Sequence, residues 1–476
     1  MSTVITPPLT SFVVPYPDYA SRLANALVYA NSTEYPATSS LKIEQRYDSD
    51  NNTFVPSVST ILVYPQMTLL TKSVDTTTSS SFGDTASVDA FGRLRVSLPK
   101  SLKDSKQIFS NLPFVYSQIA SGTASVQWLS GDSCSLFTTS ASGDYAIRQS
   151  YESYNYSPGK SQIIFTSGVW SSEENVVKRV GLFQSTTTAP YSALEGFYFE
   201  NDAGTLSFNI GNPTGTVNSQ RATQSQWSID KLDGTGPSGI TLDLTKVQIF
   251  ALDFEWLGAG RVRMGFVING LIIYCHEFNN ANNITSTYLR MPNLPLRTEI
   301  RQYGSGSGSL RQICNTVVTE TGQDDIGNLA SIDYGVAGTT FTKNQNSVLL
   351  AVKIRPEYKG TTTAIENVQI LTDSNVNIRF EILLNPTFSS PLTYSTLTNT
   401  PYLTAGGDGS ITAAGGRVIY TGYCNQVNNT TFSIPKDLLR LGFTIDGVAD
   451  ILAVAVYVLG ANNSAVYGAL NLRYDQ

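Results

Sequence analysis

From about residue 86 onward, apolar side chains recur at every second position in short runs bounded by turn formers, the period of half-buried strands rather than helices. FGRLRVSL alternates Leu94, Val96 and Leu98 with polar partners, QIIFTSGVW gives Ile163, Phe165 and Val169, and LEGFYFEN places Phe197 and Phe199 on one face. The clearest run is RVRMGFVINGLIIYCHEF. Val262, Met264, Phe266 and Ile268 share a face, Asn269-Gly270 supplies a type I′ turn, and Leu271 to Phe278 returns as the partner strand. No helix-length periodic run separates these strands. Residues 86–335 therefore predict an all-β, antiparallel sandwich of jelly-roll or lectin type, and a parallel α/β sheet is disfavoured.

A second strand series follows in SVLLAVKIR, NVNIRFEILLNP (Ile378, Phe380 and Ile382 alternating), RVIYTGY and DILAVAVYVLG, with a helical turn at 435–442. This predicts a separate, smaller β-sandwich over 345–476, from which AGGDGSITAAGG (405–416) projects as an exposed loop. GSGSGS (304–309) and the polar stretch 319–343 are both candidate ends of the central domain. Residues 1–85 are the least regular. Pro7, Pro8, Pro15 and Pro17 keep the opening extended, Asp18 caps a helical stretch with Tyr19, Leu23, Leu27 and Ala30 at helical spacing, residues 61–71 read as a strand interrupted by Pro65, and 75–85 as a linker. The expectation is an N-terminal arm or small subdomain. No period of 20–50 residues recurs, which excludes propellers and solenoids.

Composition changes this picture by what it removes. Only 14% of the 476 residues are charged, against roughly 25% in an average domain. The net charge of −6 supplies no basic excess for a nucleic-acid backbone, so no nucleic-acid partner is expected. The opening MSTVITPPLT has neither the basic start nor the apolar core of a secretory leader, and the longest apolar run, Ile451 to Leu459, is far below the ~20 residues of a membrane helix. The expectation is a chain made in the cytoplasm without membrane insertion. Cys134, Cys275, Cys314 and Cys424 are too widely spaced for a CxxC pair and read as isolated thiols.

The single histidine, His276, rules out sites that need two or three imidazoles. Its neighbour Cys275 points to the opposite face of a strand, so no thiolate–imidazolium pair is expected. Among carboxylates, Asp253 and Glu255 in LDFEWLG share a face beside Trp256, as a polysaccharide site would require. An i, i+2 pair nevertheless sits side by side at ~7 Å instead of flanking a bond, and Arg261 and Arg263 are at hand to compensate the charges. Trp128, Trp170, Trp227 and Trp256 read first as packing residues, with Trp170 and Trp256 the candidate sugar platforms. Asp324 and Asp325 do not by themselves make a calcium site. The expected site is thus a carbohydrate-binding set of Trp170, Trp256, Asp253 and Glu255, with no catalytic residue, no metal and no cofactor.

Three strings go beyond pattern: Asp89-Ala90-Phe91-Gly92-Arg93-Leu94-Arg95-Val96-Ser97 with Asp104-Ser105-Lys106-Gln107 close behind; DFEWLGAGRVRMGFVINGLIIYCHEFNNANN with YLRMPNLPLRTEI; and ILLNPT with LRLGFTIDGVADILAVAVYVLG. Over about residues 85–476 the chain resembles a family of virion structural proteins of tailed phages and large double-stranded DNA viruses. The resemblance implies a concanavalin-like jelly roll followed by a C-terminal β-sandwich, present in several copies in the particle, with the N-terminal end as the attachment point. The expected function is that of a non-enzymatic virion protein, a capsid decoration, minor capsid, fibre or spike component. Its partners would be other virion proteins, copies of itself and a host surface glycan. The alternatives are a receptor-binding lectin that recognises host polysaccharide, and a polysaccharide depolymerase acting through Asp253 and Glu255.

Overall fold

The computed structural model describes residues 41–48, 53–61, 99–212, 220–320, 327–333, 339–373, 375–425, 430–433, 440–460 and 463–475. The predicted helix at 18–30, nearly all of the predicted strand at 61–71, the AFGRLRVS string and most of the helical turn at 435–442 lie outside them. The chain divides into two units, one of residues 1–88 with 92–95 and one of 89–91 with 96–476. In the first, Leu41–Asp48 and Thr53–Ile61 form an antiparallel hairpin with Tyr47 opposite Phe54. The N-terminal region thus contains regular structure where irregular chain was expected.

The second unit is all-β and antiparallel, with only two short 3₁₀ turns as helix among the described residues. Its central part is a lectin-like jelly-roll sandwich. One sheet has seven strands in the order Gln220–Thr223, Thr205–Gly211, Ala193–Asp202, Val176–Ser185, Leu294–Gln302, Tyr145–Tyr154, Tyr116–Ala120. The other runs Leu271–Phe278, Val262–Ile268, Gln248–Phe254, Gln162–Val169, Gly308–Thr319, Cys134–Thr139, Ser125–Leu129, with Lys100–Lys106 beside Gly308–Thr319. Phe197, Phe199, Phe208, Phe250, Phe254 and Phe266 fill the space between them. The Asn269-Gly270 hairpin is as predicted: both residues have positive φ (53° and 81°), and Val262, Met264 and Phe266 are buried on one face.

Two features of this sandwich were not given by the pattern of residues. In Gln162–Val169 it is Ile164 that enters the core, while Ile163, Phe165 and Val169 line the other face; a strand apolar on both faces gives period-2 reasoning no means to choose. GSGSGS does not end the central domain. Gly308 begins the twelve-residue strand Gly308–Thr319, and a side chain there would meet Val176 and Thr139 at 3.0 Å or less.

The C-terminal part is a smaller sandwich. Five strands centre on Ser464–Asp475 and Thr362–Thr372, and six run Ser395–Thr396, Tyr402–Gly406, Asn346–Ile354, Ile451–Leu459, Asn377–Leu384, Arg417–Cys424. Ile378, Phe380 and Ile382 face the core as predicted. The strand Asn328–Asp333 pairs with Ser464–Asp475, so residues 328–333 belong to this sandwich and not to the central one. The 405–416 segment is no exposed excursion. Val348 N–H donates to Ile411 O (2.8 Å), Gly407 N–H to Leu349 O (3.0 Å), and Ala413 is buried against Ala453 and Ala455, small residues that let the segment lie close on the sheet's second face.

Candidate functional site

The strand Gln248–Phe254 turns Phe250, Leu252 and Phe254 into the core, so Asp253 emerges on the opposite face. There it stands directly across from Arg263 and forms an ion pair with Arg263 Nη2. It also accepts hydrogen bonds from Ser161 Oγ (2.8 Å) and the Tyr274 hydroxyl (3.0 Å), while the Arg263 guanidinium lies 4.2 Å from the Tyr274 ring centroid. Glu255, past the strand end, is buried beside Tyr156 and Tyr288. Burial, and then the charge of Glu255, pushes the Tyr156 phenol up to about 12, while burial, and then Tyr156 and Glu255, push that of Tyr288 well above its ordinary value.

The predicted carbohydrate set is therefore corrected for accessibility. Asp253 and Glu255 are fully buried, and Trp170 lies in the core, edge-on to Phe199 at 6.1 Å. Trp256 is half-buried, with its indole N–H donating to Leu289 O (3.2 Å) and its ring edge-on to Tyr156. None of the four presents an open platform. The compensation expected from the arginines holds for Arg263, and Arg261 pairs with Glu277 (3.2 Å). Trp227 stacks on Phe208 at 4.3 Å and Trp128 donates to Gln107 O (2.8 Å), both as packing residues.

His276 is half-buried. Its Nδ1 accepts the Ser228 N–H (3.2 Å), its ring meets the Phe278 ring edge-on at 4.5 Å, and burial depresses its basicity. Cys275 points into the core, where burial pushes its thiol well up. The two groups do not pair, as strand alternation required.

Sequence reasoning missed the outer face of the seven-stranded sheet. Glu299, Arg179 and Glu200 stand directly opposite one another on three adjacent strands. Glu299 accepts from Arg297 Nη2 (2.8 Å), Arg301 Nε (2.8 Å) and Arg179 Nη1 (2.7 Å), while Glu200 pairs with Arg179 Nε (2.6 Å) and Arg221 Nη1 (3.0 Å). Burial would raise the Glu299 carboxyl, but the guanidiniums of Arg297, Arg301 and Arg179 overcome it and hold it well below the usual carboxylate range. Such a group cannot serve as a general acid at neutral pH. Its sequence signal was Arg297-x-Glu299-x-Arg301, three charges on one strand face, which reads equally as a solvated edge.

This face is covered by the chain itself. Arg297 Nη2 donates to Tyr191 O (3.0 Å), and Arg301 to Pro190 O and Tyr191 O (2.6 Å each), which straps residues 186–192 across it. The second sandwich docks alongside. Phe443 N–H donates to Tyr151 O (2.9 Å), Ile445 N–H to Ser117 Oγ (3.2 Å), Asn155 Nδ2 to Asp475 Oδ2 (2.9 Å) and Asn293 Nδ2 to Gly360 O (3.2 Å). Lys359 sits close enough to Arg297 that, after burial, this like charge further lowers its basicity. Ile147, Gln149, Phe183, Arg297 and Glu299 are consequently sealed from solvent. Among the described residues no cluster of three His, Cys, Asp or Glu could hold a metal, and no helix is long and apolar enough to cross a membrane.

No protein-family model matches the chain, and no curated protein sequence does. Solved structures align with one part of it. The legume lectin-like domain from Entamoeba histolytica aligns at 9% identity and TM-score 0.29, over 45% of this chain and 96% of that one. The β-glucanase of Bacillus licheniformis aligns at 10% identity and TM-score 0.29, over 46% of this chain and 97% of the other. A conserved carbohydrate esterase from Shiga toxin-encoding bacteriophage phi24B aligns at 13% identity and TM-score 0.31, over 47% of this chain and 100% of the other.

Proposed function

We propose that the chain is a non-enzymatic structural protein of a virus particle, present in several copies and assembled with other virion proteins as a capsid decoration, minor capsid, fibre or spike component. The observation that carries this reading is the part of the seven-stranded sheet's outer face that lies sealed beneath residues 186–192. Glu299 is locked by three arginines beneath residues 186–192, next to Lys359 of the second sandwich. A face that an open sandwich would offer to a ligand here joins parts of one chain. The resemblance of the AFGRLRVS and DFEWLGAGRVRMGF strings to virion proteins supports the same reading, as does a chain with only 14% charged residues, since interfaces between subunits are depleted of charge. Mass spectrometry of purified particles, with the chain traced in an electron-microscopy map, tests it. A strict monomer absent from particles would overturn it.

A second reading, recognition of a host surface glycan, rests on a different strip of the same sheet. There Tyr198 is half-buried, Arg179 lies 5.8 Å from its ring centroid, and Arg221 extends half-exposed from the edge strand. A half-buried ring beside guanidiniums that Glu200 already neutralises suits a neutral sugar stacked on the ring. Glycan-array binding that disappears in Tyr198→Ala supports it, and unchanged binding removes this strip from consideration.

A further inference from the structure

Among the described residues, the other buried arginines pair with carboxylates, Arg297 with Glu299 and Arg263 with Asp253, as does the partly buried Arg179 with Glu299 and Glu200. Arg148 departs from this pattern. It stands opposite Thr298, on the face that looks between the two sheets of the central sandwich, and is fully buried. Its Nη1 donates to Gln312 Oε1 (2.7 Å) on the facing sheet, its Nη2 donates to Asn111 O, and its guanidinium carbon lies 3.9 Å from the Tyr116 ring centroid. The surrounding groups are neutral too. Gln312 Nε2 donates to Thr298 Oγ1 (3.0 Å), and the Tyr116 hydroxyl is shared with Ser105 Oγ (2.7 Å) and Asn315 Nδ2 (3.2 Å).

The Nε–H of Arg148 makes no hydrogen bond within the protein. Burial lowers the basicity of the group to about 10, and among the described residues no carboxylate acts on it, so at neutral pH it remains a cation enclosed among neutral partners. An enclosed charge without a counter-charge is strongly unfavourable, and an orphaned buried donor marks the place where a missing partner would bind.

We propose that the interior beside Arg148 binds a small monovalent inorganic anion of the halide class, held by the Nε–H and the guanidinium charge. A spherical ion is satisfied by the single Nε–H and the guanidinium charge, without the two-pronged contact that a carboxylate or phosphate takes from an arginine. The same guanidinium anchors residues 107–114 through Asn111 O, and this loop displays Ile108, Phe109 and Phe114 to solvent. Halide binding therefore stiffens an exposed apolar loop.

Thermal unfolding of the intact chain at constant ionic strength, with chloride replaced stepwise by gluconate, tests this. The expected result is a saturable rise of about 2–4 °C with chloride or bromide. Hydrogen exchange at residues 108–114 should slow in parallel, and Arg148→Met should lose both effects. A melting temperature indifferent to halide overturns the proposal, as does a bromide-soaked crystal whose anomalous peaks avoid Arg148 Nε. Both of these readings use the native protein and hold even if Arg148→Met fails to fold.

Discussion

Glu299 and Arg179 stand directly opposite each other on neighbouring strands, with Arg179 Nη1 2.7 Å from Glu299 Oε1. Because Arg297 and Arg301 converge on the same carboxylate, Glu299→Gln leaves three guanidiniums facing a neutral amide. Breaking a buried pair in this way costs about 3–5 kcal/mol, expected as a lower denaturant midpoint at unchanged slope. The pH dependence follows from the depressed folded-state carboxyl. The stabilisation is complete above the unfolded glutamate value near ~4.3 and is lost as pH falls below it toward the folded value. Glu299→Gln should flatten this acid limb.

Trp170 and Asp253 separate packing from recognition. Trp170→Ala removes a fully buried indole and should cost about 3–5 kcal/mol, measured by chemical denaturation. Asp253→Asn removes the carboxylate that pairs with Arg263 and should destabilise as well. Any folded fraction of either variant should bind glycans as the native chain does. Selective loss of binding at full stability would contradict their interior placement.

With a single histidine, the imidazole signal in a proton NMR titration is unambiguous. Burial holds the folded His276 value below 6.5, so the unfolded chain binds the proton more readily. His276's share of stability is therefore full above about 6.5 and declines as pH falls toward the folded value. The titration midpoint should lie below 6.5, and this dependence should vanish in His276→Gln.

Gly442 meets Tyr151 at the joint between the sandwiches: a Cβ at residue 442 would lie 2.0 Å from the Tyr151 carbonyl oxygen, a backbone atom that cannot swing aside. Gly442→Ala should loosen docking while both cores persist. Calorimetry should show the two cores melting further apart in the variant than in the native chain, and protease should cut at the joint.

Gly270 isolates a backbone effect. Its φ is 81° and a Cβ there would have nothing within 4 Å, so Gly270→Ala carries only the penalty of left-handed backbone, about 1–2 kcal/mol. Chemical denaturation measures this directly.

The strands were legible because their determinants are local. Val262, Met264 and Phe266 alternate with polar residues, and Asn269-Gly270 is a two-residue turn signal that needs no distant partner. The ambiguity began where apolar residues occupied both faces, as in Ile163 and Ile164, and where small residues hid a close approach, as in Ala453 and Ala455 beneath the 405–416 segment. The candidate site was legible only as residue types. Asp253 and Glu255 were identifiable as neighbouring acids, but exposure is a property of the whole sandwich.

By itself the sequence determined an all-β, antiparallel, charge-poor chain with one imidazole and a defined central hairpin, since side-chain period, turn chemistry and composition act over a few residues. Only the tertiary structure decided which charges meet. Ser161 reaches Asp253 from 92 positions away, and Gln312 reaches Arg148 from 164, contacts set by the order of strands within the sheets and the stacking of one sheet on the other. That long-range order made carboxylates that resembled a site into interior struts, and left Arg148 as a buried cation without one.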